Sequence, residues 1–165
     1  MMVVAGFDPG LDGGIVAIHP KKALLACITM PTYMGGACRD KRLVDAQAVR
    51  GFLQQHKVTH AFIEDVWSTP QMGVTSAFSF GHGKGRLEGV CEGLGIAWDT
   101  VSPMRWKGEL WVPTDKQEAK ARAHQLMPAC AKLLSSEDKA EAGLIALYGC
   151  FTLNCPPAKP LEPWK

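Results

Sequence analysis

Apolar and polar positions alternate along this chain in a way that predicts strands first and helices later. Met2 to Phe7 is a short valine-rich run, and after the tight DPGLDGG stretch the chain resumes with Ile15 to Ile18. That is a hairpin pattern, with the glycines supplying the turn. A third strand is expected around Ala23 to Met30, followed by a loop that carries Gly35, Gly36, Arg39, Lys41 and Arg42. Leu43, Ala46, Val49, Phe52 and Leu53 recur at helical spacing and predict an amphipathic helix ending near His56. His60 to Trp67 reads as a central strand, apolar on both parities until Glu64, as a strand covered on both faces should be. The glycine-rich basic stretch from Phe80 to Arg86 is expected to lead into a helix with Leu87, Val90, Cys91 and Leu94 on its apolar face. Ile96 to Val101 predicts a fifth strand. Thr114 and Gln117 have capping-box spacing and should open a helix through about Leu126. The last helix is expected from about Ser136 to Leu153, with Leu144, Tyr148 and Phe151 along one stripe.

Three strands, then helix, strand, helix, strand and two helices point to a mixed sheet with helices on its faces, an α/β or α+β domain. At 165 residues, with no linker or repeat, one domain over residues 3–155 is expected. Residues 156–165 are proline-rich and read as an extended tail with no core of its own. The six cysteines form no CxxC pair and several sit in apolar runs, which predicts a reduced, intracellular protein. No apolar run approaches the roughly 18 residues needed to span a bilayer, and the first strand begins without a basic leader. A soluble, cytoplasmic protein with no membrane partner is expected. The net charge of +2 neither demands nor excludes nucleic acid.

The chemistry lies in the acids. Asp8 sits where the first strand ends, and a charge directly after an apolar strand is costly to bury unless it is paired or binds metal. Its ordinary reading is a turn aspartate before proline. Glu64 raises the same question at another strand end, with a solvated rim charge as its ordinary reading. Asp65 points to the opposite face, so only one of the two joins Asp8, and the pattern slightly favours Glu64. Asp138 and Glu141 are three residues apart and project from one face of the last helix, at the N-terminal end of its core-facing stripe. A helix-start acid, with Ser135 as its cap, explains Asp138 but not Glu141. Small residues Ala140, Ala142, Gly143, Ala146 and Gly149 would let this helix press its acids toward the sheet. Four crowded carboxylates repel one another unless divalent cations hold them, and all-oxygen donors suit Mg²⁺ or Mn²⁺. Two such ions roughly 4 Å apart serve in-line hydrolysis of a phosphodiester, which implies a nucleic-acid substrate.

The segments GFDPGLDGGIVAI, FIEDV, FSFGHGKGRLEGV, VSPMRWKGEL and DKAEAGLIA, in that order over nearly all of residues 3–150, resemble the RuvC-type Holliday junction resolvases, especially their phage relatives. The resemblance implies a ribonuclease H-like α/β fold with a five-stranded mixed sheet flanked by helices. It implies a homodimer that nicks opposing strands of four-way or other branched DNA, in DNA recombination and repair, in the host cytoplasm if the chain is of phage origin. By matching position, Asp8 is the first catalytic and metal-binding acid, Glu64 the second, and Asp138 with Glu141 the helix pair, holding two Mg²⁺ ions for which Mn²⁺ substitutes. The last acid is glutamate where the bacterial enzymes more often have aspartate.

For DNA, His82, Lys84 and Arg86 cluster where glycines permit close backbone approach and where a helix start would offer free N–H groups, so a phosphate contact is expected. The alternative is a flexible solvated loop; the stretch is no Walker loop, because Lys84 is followed by Gly85. In the resembled family an aromatic such as Phe78 or Phe80 stacks on bases at the junction centre, while core burial is an equal alternative for each. Arg105, Trp106 and Lys107 resemble a family position facing the scissile strand, and Lys116, Lys120 and Arg122 would extend a basic track unless they are simply solvated. Other readings are a nuclease of the same fold acting on RNA, flaps or forks, and a junction-binding protein that does not cut. A sugar-kinase-like phosphate binder needs a longer, two-domain chain.

Overall fold

A computed structural model describes residues 1–35 and 41–164. In chain order the elements are β1 (Val4–Asp8), β2 (Gly14–His19), β3 (Leu24–Thr29), β4 (Thr32–Gly35), β5 (Lys41–Val44), α1 (Ala46–Gln55), β6 (His60–Glu64), α2 (Val74–Leu94), β7 (Ala97–Val101), α3 (Pro103–Glu109), α4 (Lys116–Leu126), α5 (Glu137–Thr152) and β8 (Glu162–Pro163). The main sheet runs β7-β6-β1-β2-β3-β8. β1, β2 and β3 form the antiparallel meander, and β6 and β7 add in parallel beside β1.

Side-chain alternation along the strands fills two cores. Val4, Val16, Ile18 and Phe62 face α4 and α5. Ala5, Phe7, Ile15 and Ile63 face the side closed by α1 and α2. This two-sided burial explains why β1 and β6 are apolar on both parities. Helix α5 is buried at every residue from Ala140 to Cys150. It lies so close to β1 that a Cβ at Gly6 would collide with the backbone of Ala142 and Ala146. That approach sets the distance between the sheet and the acids at the start of α5.

Several expectations are corrected. The sheet has six strands, because β8 pairs in parallel with the outer edge of β3. The C-terminal tail, expected to have no core of its own, adds to the cores of the domain: Leu161 is 3 % exposed within one, and Trp164 packs against the other beside His19 and His56. Leu43 belongs to the hairpin β4–β5 rather than to a helix, and α1 starts after Asp45, whose carboxylate accepts the Gln47 and Ala48 N–H groups. Gly36, Cys38 and Arg39 lie outside the described residues. β6 stops at Glu64. α2 begins at Val74, so Phe80 to Arg86 is the middle of a 21-residue helix and not a loop before one. α3 was not anticipated. Asp115, not Thr114, caps α4, and Ser136, not Ser135, caps α5. Among the described residues, no helix is long and apolar enough to cross a membrane.

Candidate active site

Asp8 and Glu64 end the neighbouring parallel strands β1 and β6, whose register pairs Phe7 with Ile63. Both acids therefore emerge at the same edge of the sheet. The first turns of α5 bring Asp138 and Glu141 over that edge. The four carboxylates line one cleft of about 600 Å³, with Lys107 and Lys116 on its wall. Asp8, Asp138 and Glu141 each offer a carboxylate oxygen within 4.8 Å of the other two. Glu64 stands beside them, 9 % exposed, with Oε1 accepting a hydrogen bond from Trp106 Nε1 at 3.0 Å. Asp65 faces away and takes bonds from Lys84 Nζ at 2.6 Å and Trp67 Nε1 at 3.0 Å. Strand parity thus places Glu64, and not its neighbour, in the cleft.

The electrostatics are those of an acidic cluster only partly neutralised. Lys107 Nζ lies 2.8 Å from Glu141 Oε1, and Lys116 Nζ 3.1 Å from Asp138 Oδ1. The bond to Asp138 raises the Lys116 pKa. Among the described residues, Asp8 has no such cation. Burial first, then the charge of Glu64, with smaller contributions from Asp138 and Glu141, push its carboxyl from 3.8 up to about 7, against a favourable N–H from Gly10. Glu64 is also raised, mainly by burial and then by Glu141, while Trp106, Lys107 and Lys116 oppose the shift. A cluster whose burial and like charges disfavour the ionised carboxylates fits a hard divalent cation, and its all-oxygen donor set suits Mg²⁺ or Mn²⁺. The buried acidic cluster could bind a metal.

The basic candidates divide. Lys107 and Lys116 are in the cleft. Arg105 is exposed on α3 and pairs with Glu109 at 3.4 Å. Phe80 is half-buried in a separate depression beside Pro9 and Leu11. His82 is exposed, its ring stacked on Phe78 with centroids 6.2 Å apart. Lys84 is held between Asp65 and Glu88, and Arg86 donates to the Tyr33 hydroxyl at 3.1 Å. The free helix-start N–H groups expected around His82 are absent, because α2 starts eight residues earlier and its own backbone bonds consume them.

Two residues have surroundings that the sequence reading did not give them. Trp106, grouped with Arg105 and Lys107 by its resemblance to a position facing the scissile strand, is fully buried against Glu64. Trp67, three residues beyond Glu64, is 76 % exposed; an aromatic directly after an apolar strand end was the available signal.

No protein-family model matches the sequence, and no curated relative matches it. Solved structures do. The chain aligns with Thermus thermophilus RuvC in complex with a Holliday junction substrate, at TM-score 0.62 and 20% identity over 97% of this chain and all of that one. A second Thermus thermophilus RuvC structure aligns over the same shares at TM-score 0.61 and 20% identity. The mixed α/β fold is therefore RuvC-like, of the ribonuclease H-like type.

Proposed function

We propose that this protein is a divalent-metal-dependent endonuclease that hydrolyses the backbone of branched DNA, with the four-way junction as its substrate. The observation that carries the reading is the meeting of Asp8, Glu64, Asp138 and Glu141 in one cleft at the sheet edge. The likeness in fold to a RuvC structure that holds a Holliday junction supports the choice of DNA. Asp8, Glu64, Asp138 and Glu141 are the residues that would hold two cations. When bound, such ions supply Lewis-acid activation of water and stabilisation of the leaving oxygen. The chain's own residues do the rest. Lys107 and Lys116 place positive charge where a scissile phosphate would enter, and phosphate contacts of this kind make affinity salt-dependent. Trp67 and Phe78, 76 % and 70 % exposed, offer aromatic faces for bases that are unpaired at a branch point.

A homodimer suits a substrate with two strands to cut. Its support is the outward face of α2. Gly81, Gly85, Gly89 and Gly93 repeat every four residues there, and a Cβ at any of them would meet nothing within 4 Å. Val74 stands exposed at the N-terminal end of the same helix. Each glycine costs a helix about 1 kcal/mol relative to alanine, a cost that close packing against a second α2 would offset. Gly85→Glu should convert the dimer to a monomer in sedimentation equilibrium; a wild-type monomer refutes this part.

The deciding experiment incubates a labelled four-way junction and a matched linear duplex with wild type and Asp8→Asn, in Mg²⁺, Mn²⁺ or EDTA. Symmetric metal-dependent nicks in the junction alone, lost in the variant, are the expected result. Preferential cutting of flaps, forks or RNA moves the substrate. Binding without cutting under every condition overturns the enzyme reading.

A further inference from the structure

Glu64 is held differently from the other three acids. Glu141 and Asp138 each face a lysine, and Asp8 Oδ1 takes a backbone N–H from Gly10 at 3.3 Å. Glu64 instead receives the indole N–H of Trp106, 42 residues away in sequence. Trp106 is 0 % exposed, sits on the short helix α3 behind Pro103, and belongs to the core formed around α5. Its ring centroid also lies 5.1 Å from Lys107 Nζ, the group that bonds Glu141, so one buried side chain borders Glu64 and the lysine that holds Glu141.

A buried indole has a single N–H and needs a single acceptor. Here the acceptor is Glu64 Oε1, which leaves Oε2 without a hydrogen bond among the described residues. A lysine in the same place would fix the carboxylate but would compete with an incoming cation for its charge. A neutral indole orders the three side-chain torsions of Glu64 without that competition. Ordering such a chain beforehand removes an entropic cost that binding would otherwise bear. We propose that Trp106 is a positioning residue of the cation site: its N–H holds Glu64 by Oε1 and presents Oε2 to the metal. This rests on the reading of the cleft as a divalent-cation site. Hydrogen-bond partners of metal ligands typically contribute about 10- to 100-fold in affinity.

The test is a Mn²⁺ titration of the protein without DNA, with free Mn²⁺ followed by electron paramagnetic resonance. Wild type is compared with Trp106→Phe, Glu64→Gln and the double variant. Trp106→Phe keeps a ring in the core and removes only the donor; roughly tenfold weaker Mn²⁺ binding is expected. In the Glu64→Gln background the same change should have no further effect. Unchanged affinity in Trp106→Phe overturns the proposal, and so does an equal loss in both backgrounds, which would mark general damage to the core. If wild type itself binds no Mn²⁺, the cation reading of the cleft falls, and the proposal falls with it. Should Trp106→Phe fail to fold, the indole N–H resonance of Trp106 in ¹⁵N-labelled wild type replaces it. That resonance should move on Mg²⁺ addition and in Glu64→Gln, and a resonance indifferent to both overturns the assignment.

Discussion

Asp8→Asn should make the metal-free protein more stable while abolishing cleavage. The carboxyl of Asp8 is pushed from 3.8 to about 7 by burial and by Glu64, Asp138 and Glu141. Between those values the folded protein retains a proton that the unfolded chain has released. Stability therefore falls as pH rises through that window, and the loss is complete above about pH 7. A displacement of about three pH units corresponds to roughly 4 kcal/mol at about 1.4 kcal/mol per unit. Asp8 is only partly buried, so screening by solvent trims this to ~2 kcal/mol. Asparagine carries no charge to desolvate, and its oxygen can still accept the Gly10 N–H seen at 3.3 Å. In a domain of this size ~1 kcal/mol moves the Tm by about 2–4 °C, so the variant should melt ~4–8 °C above wild type at pH 8.5 in EDTA. At pH 4 the two should melt together. Saturating Mg²⁺ should close or reverse the gap, because the wild-type cluster gains from the cation and the variant does not. Thermal melts followed by circular dichroism at pH 4, 6 and 8.5 read all of this. A variant no more stable than wild type at pH 8.5, or a gap that does not widen with pH, refutes the account of a proton held in place of a metal.

Lys107→Met leaves Glu141, only 5 % exposed, without its cation. Breaking a buried pair in this way costs about 3–5 kcal/mol, so a large drop in Tm in EDTA, largely recovered in Mg²⁺, is expected. Gly6→Ala forces a methyl group into the backbone of α5; urea unfolding should show a loss of about 3 kcal/mol or more, together with reduced cleavage as the α5 acids move off the sheet edge. Leu161→Ala should cost about 2–5 kcal/mol in the same urea assay if the C-terminal segment is part of the core, and an unchanged midpoint would mean that β8 contributes nothing.

Much of the site was legible in one dimension because its signals are local. A polar residue ending an apolar strand marks Asp8 and Glu64, and helical spacing puts Asp138 and Glu141 on one stripe beside small residues that allow close packing. The meander β1–β3 was legible for the same reason, since its strands are neighbours in sequence joined by short turns. What the chain alone did not reveal depends on distant partners. The N-terminal half of α2 reads as a glycine-rich loop, because glycine disfavours a helix and few side chains there are buried; Gly83, Leu87 and Cys91 against the second core hold it. Strand β8 exists only because the edge of β3 is available to it, far away in sequence. The basic stretch His82 to Arg86 looked free, yet Lys84 finds Asp65 and Arg86 finds Tyr33 once the helix is docked. Above all, Trp106 lies on a different element from Glu64, and no periodicity links an indole to a carboxylate 42 residues away. Short-range patterning thus decided which residue types could meet a metal, whereas the closeness of α5 to β1 and the docking of α3 decided how they are held, because only long-range packing sets the distances between elements.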